Sequence, residues 1–235
     1  MAAGIDIVSD GDQGKPGFCN YLAARIEGIS GRSDPWTLRD LTAVPALFDF
    51  YFGGEASPHA AMPACEGALR HRGTDDAAVV RSGMVLQLDS PDLGAVGHTD
   101  VWMSELVEKV GYRRYLEMNV EALNVATADL DPEALRMHLC WGNYEGPHHL
   151  DTGLAEIIDI VLTRARPTGI GFEAANPRHD HEWELFGELP LPDDKVLVPG
   201  VIDTTTNFVE HPRLVAQRIR RYADLVGRER VVAGT

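Results

Sequence analysis

Short apolar runs alternate along the chain with longer stretches in which apolar residues recur every three or four positions. Short runs of this kind are typical of buried strands, and the longer pattern is typical of amphipathic helices. The predicted strands are Ile5–Val8, Met84–Leu88, Arg136–Cys140, Gly169–Phe172, Val196–Ile202 and Val231–Ala233. The predicted helices are Tyr21–Ile29, Val101–Lys109, Arg113–Thr127, Leu154–Arg164 and Leu214–Val226. This alternation predicts an α/β protein in which βα units surround a parallel sheet.

Polar residues follow the predicted strands, and the later ones recur at intervals of about 30 positions, the length of one βαβ unit. These residues are Asp10, Asp12, Asp89, His138, Cys140, Glu173 and Asp203. In a closed (β/α)₈ barrel the active site is built at the carboxyl ends of the strands. An open doubly wound sheet also places polar residues there. The pattern alone leaves both architectures open.

The segment between Asp12 and Asp89 contains no convincing strand and is interrupted by many Gly and Pro residues. Two or more βα units therefore look compressed there. The chain also opens directly on a strand and stops at Val231–Thr235, within the last one. We expect residues 1–235 to form one domain that lacks parts of its architecture.

The net charge of the chain limits the classes of molecule that we expect it to bind. Lys and Arg number 21 and Asp and Glu 36, which gives a formal net charge of −15. Such a surface repels nucleic acid and anionic membranes, so we expect neither as a partner. Three cysteines in a chain of this size argue against a disulfide framework and for a reducing compartment. Without a signal sequence or a long apolar run, a cytoplasmic protein is expected.

The string Arg136–Asn143 carries the most specific candidate chemistry. His138 and Cys140 are two positions apart on a predicted strand and therefore share one face. An imidazole nitrogen and a thiolate sulfur, completed by a carboxylate such as Glu173, form a donor set that zinc accepts. The alternative is that His138 and Cys140 are ordinary interior residues and that Glu173 caps a helix or forms an ion pair.

Acidic residues after other strands allow two interpretations. Asp10 and Asp12 lie in a Gly-containing turn that suits the binding of an ammonium group or a small polar substrate, or equally a solvated turn. The spacing is not that of a phosphate-binding P-loop. Asp89 and Asp203 each end an apolar strand, where an acid either contacts substrate or caps the following loop.

Several histidines lie outside these positions. His179 and His181 suggest a second metal site, but we favour a loop of solvated histidines that flanks the main site. His148 and His149 are interpreted as residues of a surface loop.

Taken together, the strand-end strings resemble the cobalamin-independent methionine synthase family. The resemblance is strongest to its shorter members, which are methionine synthase-like or epoxyalkane:coenzyme M transferase-like. The strings that carry it extend over nearly the whole chain, and they are Gly4–Lys15, His138–Asn143, Phe172–Arg178 and Pro199–Asn207.

This resemblance implies a (β/α)₈ TIM-type barrel with a zinc ion that activates a substrate thiol for alkylation. His138, Cys140 and Glu173 would be three of the zinc ligands. The other matching positions would bind substrate (Asp10, Asp12, Asp89 and Asn143) or take part in the reaction (Asp89 and Asp203).

The sequence departs from the family pattern in four places. A second Cys ligand is expected just beyond Thr235, and a first strand is expected before Met1. The third strand of the barrel is expected between Arg72 and Val85, where the chain has only a dozen residues. Thr204–Thr206 stand where methionine synthases have a proton-donating His. The expected fold is therefore an incomplete barrel, and specificity for homocysteine and folate is not implied.

The leading functional hypothesis is zinc-dependent transfer of an alkyl or methyl group to a substrate thiol. The expected partners are a small-molecule thiol and an alkyl donor. Two alternatives stay open: a catalytically inactive barrel remnant that binds a ligand or partner, and a zinc hydrolase with an open coordination position. Exposed edges of an incomplete barrel favour association, so a homo-oligomer is expected.

Overall fold

A computed structural model describes residues 4–9, 21, 25–33, 39–52, 62–72, 78–97 and 101–234. The described residues fall into two compact units, one within Met1–Trp36 and Phe48–Asp76, the other within Thr37–Leu47 and Ala77–Thr235. That residues 1–235 form a single domain stays a prediction.

In the smaller unit, strands β1 (Ile26–Ser33) and β2 (Met62–His71) form an antiparallel pair. The expectation of no strand between Asp12 and Asp89 is therefore wrong, and so is the predicted helix over its last part, Ile26–Ile29. Apolar residues three apart suggest a helix there, but Gly28 has a φ of +86° and interrupts the regular pairing of β1. Its missing Cβ also matters, because a Cβ there would lie 2.6 Å from the Ala68 carbonyl oxygen.

The predicted strand Ile5–Val8 is also absent. Residues 4–9 have no regular secondary structure, and Val8 is 81% exposed. A β-branched run becomes a strand only when a partner strand and a covering layer are available. Neither is found for Ile5–Val8 among the residues that the structure describes.

The larger unit contains a parallel sheet in the order β3-β4-β5-β6. Its strands are β3 (Leu86–Ser90), β4 (Leu135–Leu139), β5 (Gly169–Glu173) and β6 (Val196–Gly200). All four coincide with predicted strands to within a few residues. The last predicted strand appears only as two parallel bridges to β6, Leu197 with Val231 and Gly200 with Gly234.

Helices of the described residues lie before, between and after these strands along the chain. They are α1 (Pro45–Phe52), α2 (Ala78–Arg81), α3 (Pro91–Gly94), α4 (Val101–Val110), α5 (Tyr112–Ala126), α6 (Ile158–Arg164) and α7 (Pro212–Val226). Short 3₁₀ turns are Leu41–Ala43, Ala95–Gly97, Pro132–Ala134, Leu154–Glu156, Glu182–Gly187 and Arg228–Arg230. The predicted helix at Leu154–Arg164 is therefore a 3₁₀ turn followed by α6.

The core of the larger unit lies between the sheet and its helices. Residues of β4 alternate between buried and half-buried, with Leu135, Met137 and Leu139 directed into the apolar core. Tyr222 of α7 packs against Phe172 of β5, with ring centroids 5.8 Å apart. This arrangement gives β4 one apolar face and leaves its other face for polar residues.

Four parallel strands connected by helices confirm the predicted α/β class, and they are consistent with part of a (β/α)₈ barrel. Among the described residues the sheet does not close into a barrel. No helix in the described part of the chain is both long enough and apolar enough to cross a bilayer.

Candidate metal centre at the ends of the parallel strands

The polar face of β4 carries His138, whose neighbour on β5 is Gly171. A Cβ on Gly171 would lie 3.5 Å from His138 Nδ1, which is an ordinary van der Waals distance. At Gly169 a Cβ would lie only 2.8 Å from Arg136 Cγ. The glycine at position 169 of β5 therefore makes space for a polar side chain of β4.

His138 and Cys140 meet a third donor, Asp89 of β3. Asp89 and His138 are paired in the parallel register of β3 and β4. One ligand atom from each of the three residues lies within 4.8 Å of the other two. Oxygen, nitrogen and sulfur donors together suit zinc, and small side-chain adjustments bring such atoms to tetrahedral coordination. The residues present therefore fit a zinc ion.

Electrostatics at these residues agree with metal binding. Burial lowers the pKa of His138 and outweighs the opposing effect of the charges on Asp89 and Glu173. The imidazole is therefore neutral at pH 7, which is the ligating form. Burial, assisted by the charge of Asp89, raises the pKa of Cys140 to about 11. Without a cation Cys140 is a thiol, and metal binding must release its proton.

Glu173 ends β5 but has a different set of contacts. Its Oε1 accepts hydrogen bonds from the backbone N–H groups of Ala174 at 2.8 Å, Ala175 at 2.7 Å and Asn176 at 3.2 Å. The carboxylate thus holds the turn after β5, as the capping alternative expects, while its charge reaches His138. A role for Glu173 as a zinc ligand stays a prediction.

The other predicted site residues lie outside this donor cluster or outside the described residues. Asp203 is buried and accepts hydrogen bonds from the N–H and the hydroxyl of Thr205, at 2.9 and 2.7 Å, so it stabilises its own loop. Asn143 is exposed, and its Oδ1 accepts a hydrogen bond from the Thr204 hydroxyl at 3.2 Å. This bond joins the loops after β4 and β6. Asp10 and Asp12 lie outside the described residues.

Two histidines behave unlike their prediction. His179 is 1% exposed and His148 is 5% exposed, so the expectation of solvated or surface histidines is wrong for both. His148 Nδ1 and His179 Nε2 each lie 2.9 Å from Asp151 Oδ2, and His179 Nδ1 lies 2.8 Å from Glu182 Oε2. We refer to His148, Asp151, His179 and Glu182 as the histidine–carboxylate network.

A sequence signal for this network exists. Both His148–Asp151 and His179–Glu182 are a histidine followed three positions later by an acid, and each pair forms a contact within its own loop. This spacing distinguishes His148 from the exposed His149, but the exposed His181 is also followed three positions later by an acid, Glu184, so the spacing alone does not identify His179.

Arg218 of α7 braces the same end of the sheet. Its guanidinium donates to the carbonyl oxygens of Val201 and Ala175, each at 2.9 Å, and to the carboxylates of Glu210 and Asp180. One buried cation therefore connects the loops after β5 and β6. Arg218 has no signal in the sequence, because the amphipathic pattern of α7 gives no sign that one of its arginines is buried.

The chain is similar to known proteins in sequence and in structure. No family model matches the chain. The chain is 29% identical over 136 residues to 2-hydroxypropyl-CoM lyase from Xanthobacter autotrophicus (strain ATCC BAA-1158 / Py2). The matched region covers 48% of this chain, and the chain spans only 36% of that relative.

The structure is similar to that of a B12-independent methionine synthase from Shewanella sp. W3-18-1, solved in complex with selenomethionine. The TM-score is 0.65 with 20% sequence identity, and the match covers 100% of this chain and 76% of the other. At this identity the similarity supports a shared fold. Both relatives are of the kinds that the strand-end strings resemble.

Proposed function

We propose that the site supports transfer of an alkyl group to the sulfur of a small-molecule thiol, with a zinc ion held by His138, Cys140 and Asp89. The observation that carries the proposal is the meeting of three chemically different donor atoms within 4.8 Å at the ends of β3 and β4. Glu173 is the nearby carboxylate whose charge adds to the attraction for a cation.

The comparisons favour sulfur chemistry over the hydrolase alternative. The names of both relatives, a 2-hydroxypropyl-CoM lyase and a methionine synthase, refer to small sulfur compounds. No separate observation favours a hydrolase. Because the chain spans 36% of the lyase, the activity of the whole relative is proposed here only at the level of reaction class.

When bound, zinc supplies a Lewis acid that keeps a substrate thiol deprotonated near neutral pH. In the transfer, a carbon–sulfur bond forms while the bond between that carbon and a nitrogen or oxygen leaving group breaks, and the leaving atom takes up a proton. His138 is neutral, and both His138 and Cys140 are half-buried, so the side chains beside the reacting sulfur are partly shielded from water. Asn143 and Asp203 are the proposed groups for orienting the two substrates.

The first test is the zinc content of purified protein after dialysis against a weak chelator. We expect about one zinc per chain in the wild type, and loss of the metal in Cys140→Ala and His138→Ala. Cys65→Ala is the matched control, because Cys65 is exposed and is not part of the donor cluster. Folded wild-type protein without zinc would favour the inactive remnant instead.

A second test separates thiol transfer from hydrolysis. Cobalt(II) is exchanged for zinc, and a small thiol such as 2-mercaptoethanol is titrated into the protein. Thiol transfer predicts a new sulfur-to-cobalt absorption band that saturates with added thiol. A spectrum that responds to pH but not to thiol would indicate activated water and would support the hydrolase.

A further inference from the structure

The histidine–carboxylate network joins the loops that follow β4 and β5. His148 and Asp151 lie after β4, in the loop that begins at Cys140, while His179 and Glu182 lie after β5, in the loop that begins beyond Glu173. The bond from His179 to Asp151 spans 28 positions of sequence. Glu182 Oε1 also accepts a bond from the Leu154 N–H at 2.7 Å, which adds a second connection between these loops.

The hydrogen-bond partners define the protonation state of both histidines. His179 has a carboxylate oxygen at each ring nitrogen, so both nitrogens must donate. His148 has the Asp151 carboxylate at Nδ1 and the Tyr144 carbonyl oxygen at Nε2, 3.0 Å away, and must donate from both as well. Two imidazolium ions therefore share one oxygen of Asp151.

Each of the two imidazolium ions has two carboxylates as neighbours. The imidazolium of His179 faces Asp151 and Glu182, and that of His148 faces Asp151 and Asp40. Asp40 is fully buried and accepts hydrogen bonds from the Tyr144 hydroxyl and the His148 N–H. Buried ions of this kind persist only when each has its partner, so removal of one leaves an uncompensated charge.

His179 also touches both candidate metal-binding segments. Its ring lies 4.5 Å, centroid to centroid, from that of Trp141, the residue directly after Cys140. Its backbone N–H donates to Asn176 Oδ1 at 3.0 Å, and the Asn176 N–H in turn donates to Glu173. A shift of His179 therefore moves the backbone next to Cys140 and the turn held by Glu173 together.

We propose that His179, through its paired bonds to Asp151 and Glu182, is a positioning residue that fixes the loop after Cys140 relative to the loop after Glu173. The network thereby orients the donor groups without contacting the metal. This inference rests on the proposed function, because the orienting of donor groups matters only if they bind a metal. The fixing of the two loops can be measured in protein that holds no metal.

Amide hydrogen exchange in metal-free protein tests the fixing directly. In His179→Gln we expect exchange at least tenfold faster in residues 141–153 and 174–182, while amides of α6 keep their protection. The matched control is His181→Gln, which removes an exposed histidine two positions away and leaves exchange unchanged. Wild-type exchange rates in both loops of a folded His179→Gln protein would overturn the proposal.

A less disruptive substitution keeps the proposal testable if His179→Gln does not fold. Glu182→Gln keeps the size of the side chain and an oxygen for the Leu154 N–H, but removes the charge that pairs with His179. We expect the same two loops to exchange faster, to a smaller extent. Faster exchange spread evenly over α6 and the loops would show a general loss of stability and would contradict a positioning role.

A measurement of zinc affinity distinguishes this inference from the proposed function. Zinc affinity is measured by competition with a chromophoric chelator, and His179→Gln is expected to bind zinc about tenfold more weakly than wild type, the scale of effects from outside the ligand set. If His179→Gln shows faster loop exchange but binds zinc as tightly as wild type, then His179 does not orient the donor groups. Wild-type protein that binds no zinc would defeat the proposed function, whereas the exchange result would still decide whether His179 fixes the loops.

Discussion

Asp89 and His138 occupy paired positions on adjacent parallel strands, and each brings a donor atom to within 4.8 Å of Cys140 Sγ. Parallel pairing places the two side chains on the same face of the sheet, at its carboxyl edge. Among the described residues, Asp89 is therefore the carboxylate that joins this donor group with the histidine–cysteine pair, and Glu173 is not part of the group.

Substitution of the two carboxylates distinguishes their roles. We expect Asp89→Asn to weaken zinc binding by more than the roughly 10- to 100-fold typical of residues outside the ligand set. Glu173→Gln keeps an oxygen for the three backbone N–H groups and is expected to fall within or below that range. Chelator competition measures both affinities. The reverse order would make Glu173 the ligand, as the family resemblance implies.

Alkylation of Cys140 reports its environment. Burial first, and then the charge of Asp89, raises the thiol pKa to about 11, so metal-free protein reacts with iodoacetamide slowly at pH 8 and half-maximally only near that pKa. Mass spectrometry of the Cys140 peptide follows the reaction, and exposed Cys65 is the internal reference. Rapid labelling of Cys140 at pH 8 would show that the thiol is not held in this environment.

The stability conferred by His179 depends on pH. Burial alone lowers its pKa, but the bonds to Asp151 and Glu182 outweigh burial and raise it to about 9. Because this value lies above that of an unfolded histidine, the stabilisation is complete below about pH 6.5 and is lost as the pH rises through 9. The difference in unfolding free energy between wild type and His179→Gln should therefore shrink by about 3 kcal/mol between about pH 6 and about pH 10.

Urea unfolding at about pH 6 and about pH 10 measures this gap. The exposed His181 supplies the control, since His181→Gln should differ from wild type by the same small amount at both pH values. A gap for His179→Gln that is constant with pH would mean that His179 is not charged in the folded protein.

Gly94, at the end of α3, allows close approach to the segment after β4. A Cβ there would lie 2.8 Å from the Cys140 carbonyl oxygen and 3.0 Å from the Trp141 ring. Gly94→Ala should therefore destabilise the protein by about 1–3 kcal/mol in urea unfolding. Gly187→Ala adds a Cβ at 3.8 Å from the Leu225 side chain and should stay within about 0.5 kcal/mol of wild type.

Two arginines of α7 share Asp180 but differ in burial. Arg218 has 6% of its side chain exposed and Arg221 has 33%. Arg218→Met leaves the largely buried Glu210 side chain without its cation, although Glu210 keeps the hydrogen bond from the Asp203 N–H, and should cost about 3 kcal/mol. Arg221→Met should cost at most about 1 kcal/mol, as for exposed pairs. Equal losses in thermal unfolding would contradict the bracing role of Arg218.

The sequence predicts the central sheet well because buried parallel strands are short apolar runs whose ends are marked by polar residues. The same signal fails at Ile5–Val8, where the run is present but its side chains are exposed. It also fails at β1 and β2, because an antiparallel pair with an interrupted register has no continuous apolar face.

Within the site, the pairing of His138 with Cys140 follows from the two-residue period of a strand, which local sequence fixes. The position of Asp89 beside them depends on the register between β3 and β4. The burial of His179 depends on Asp151, 28 positions away in the sequence. Such distant relationships leave no periodic trace, so the sequence indicates the donor types but not their full arrangement.

The single Asp151 oxygen shared by His148 and His179 constrains how this protein can evolve. Replacing either histidine alone changes the charge balance felt by the other, so the effects of the two substitutions are not additive. Close variants of this chain should therefore keep or lose the two histidines as a pair.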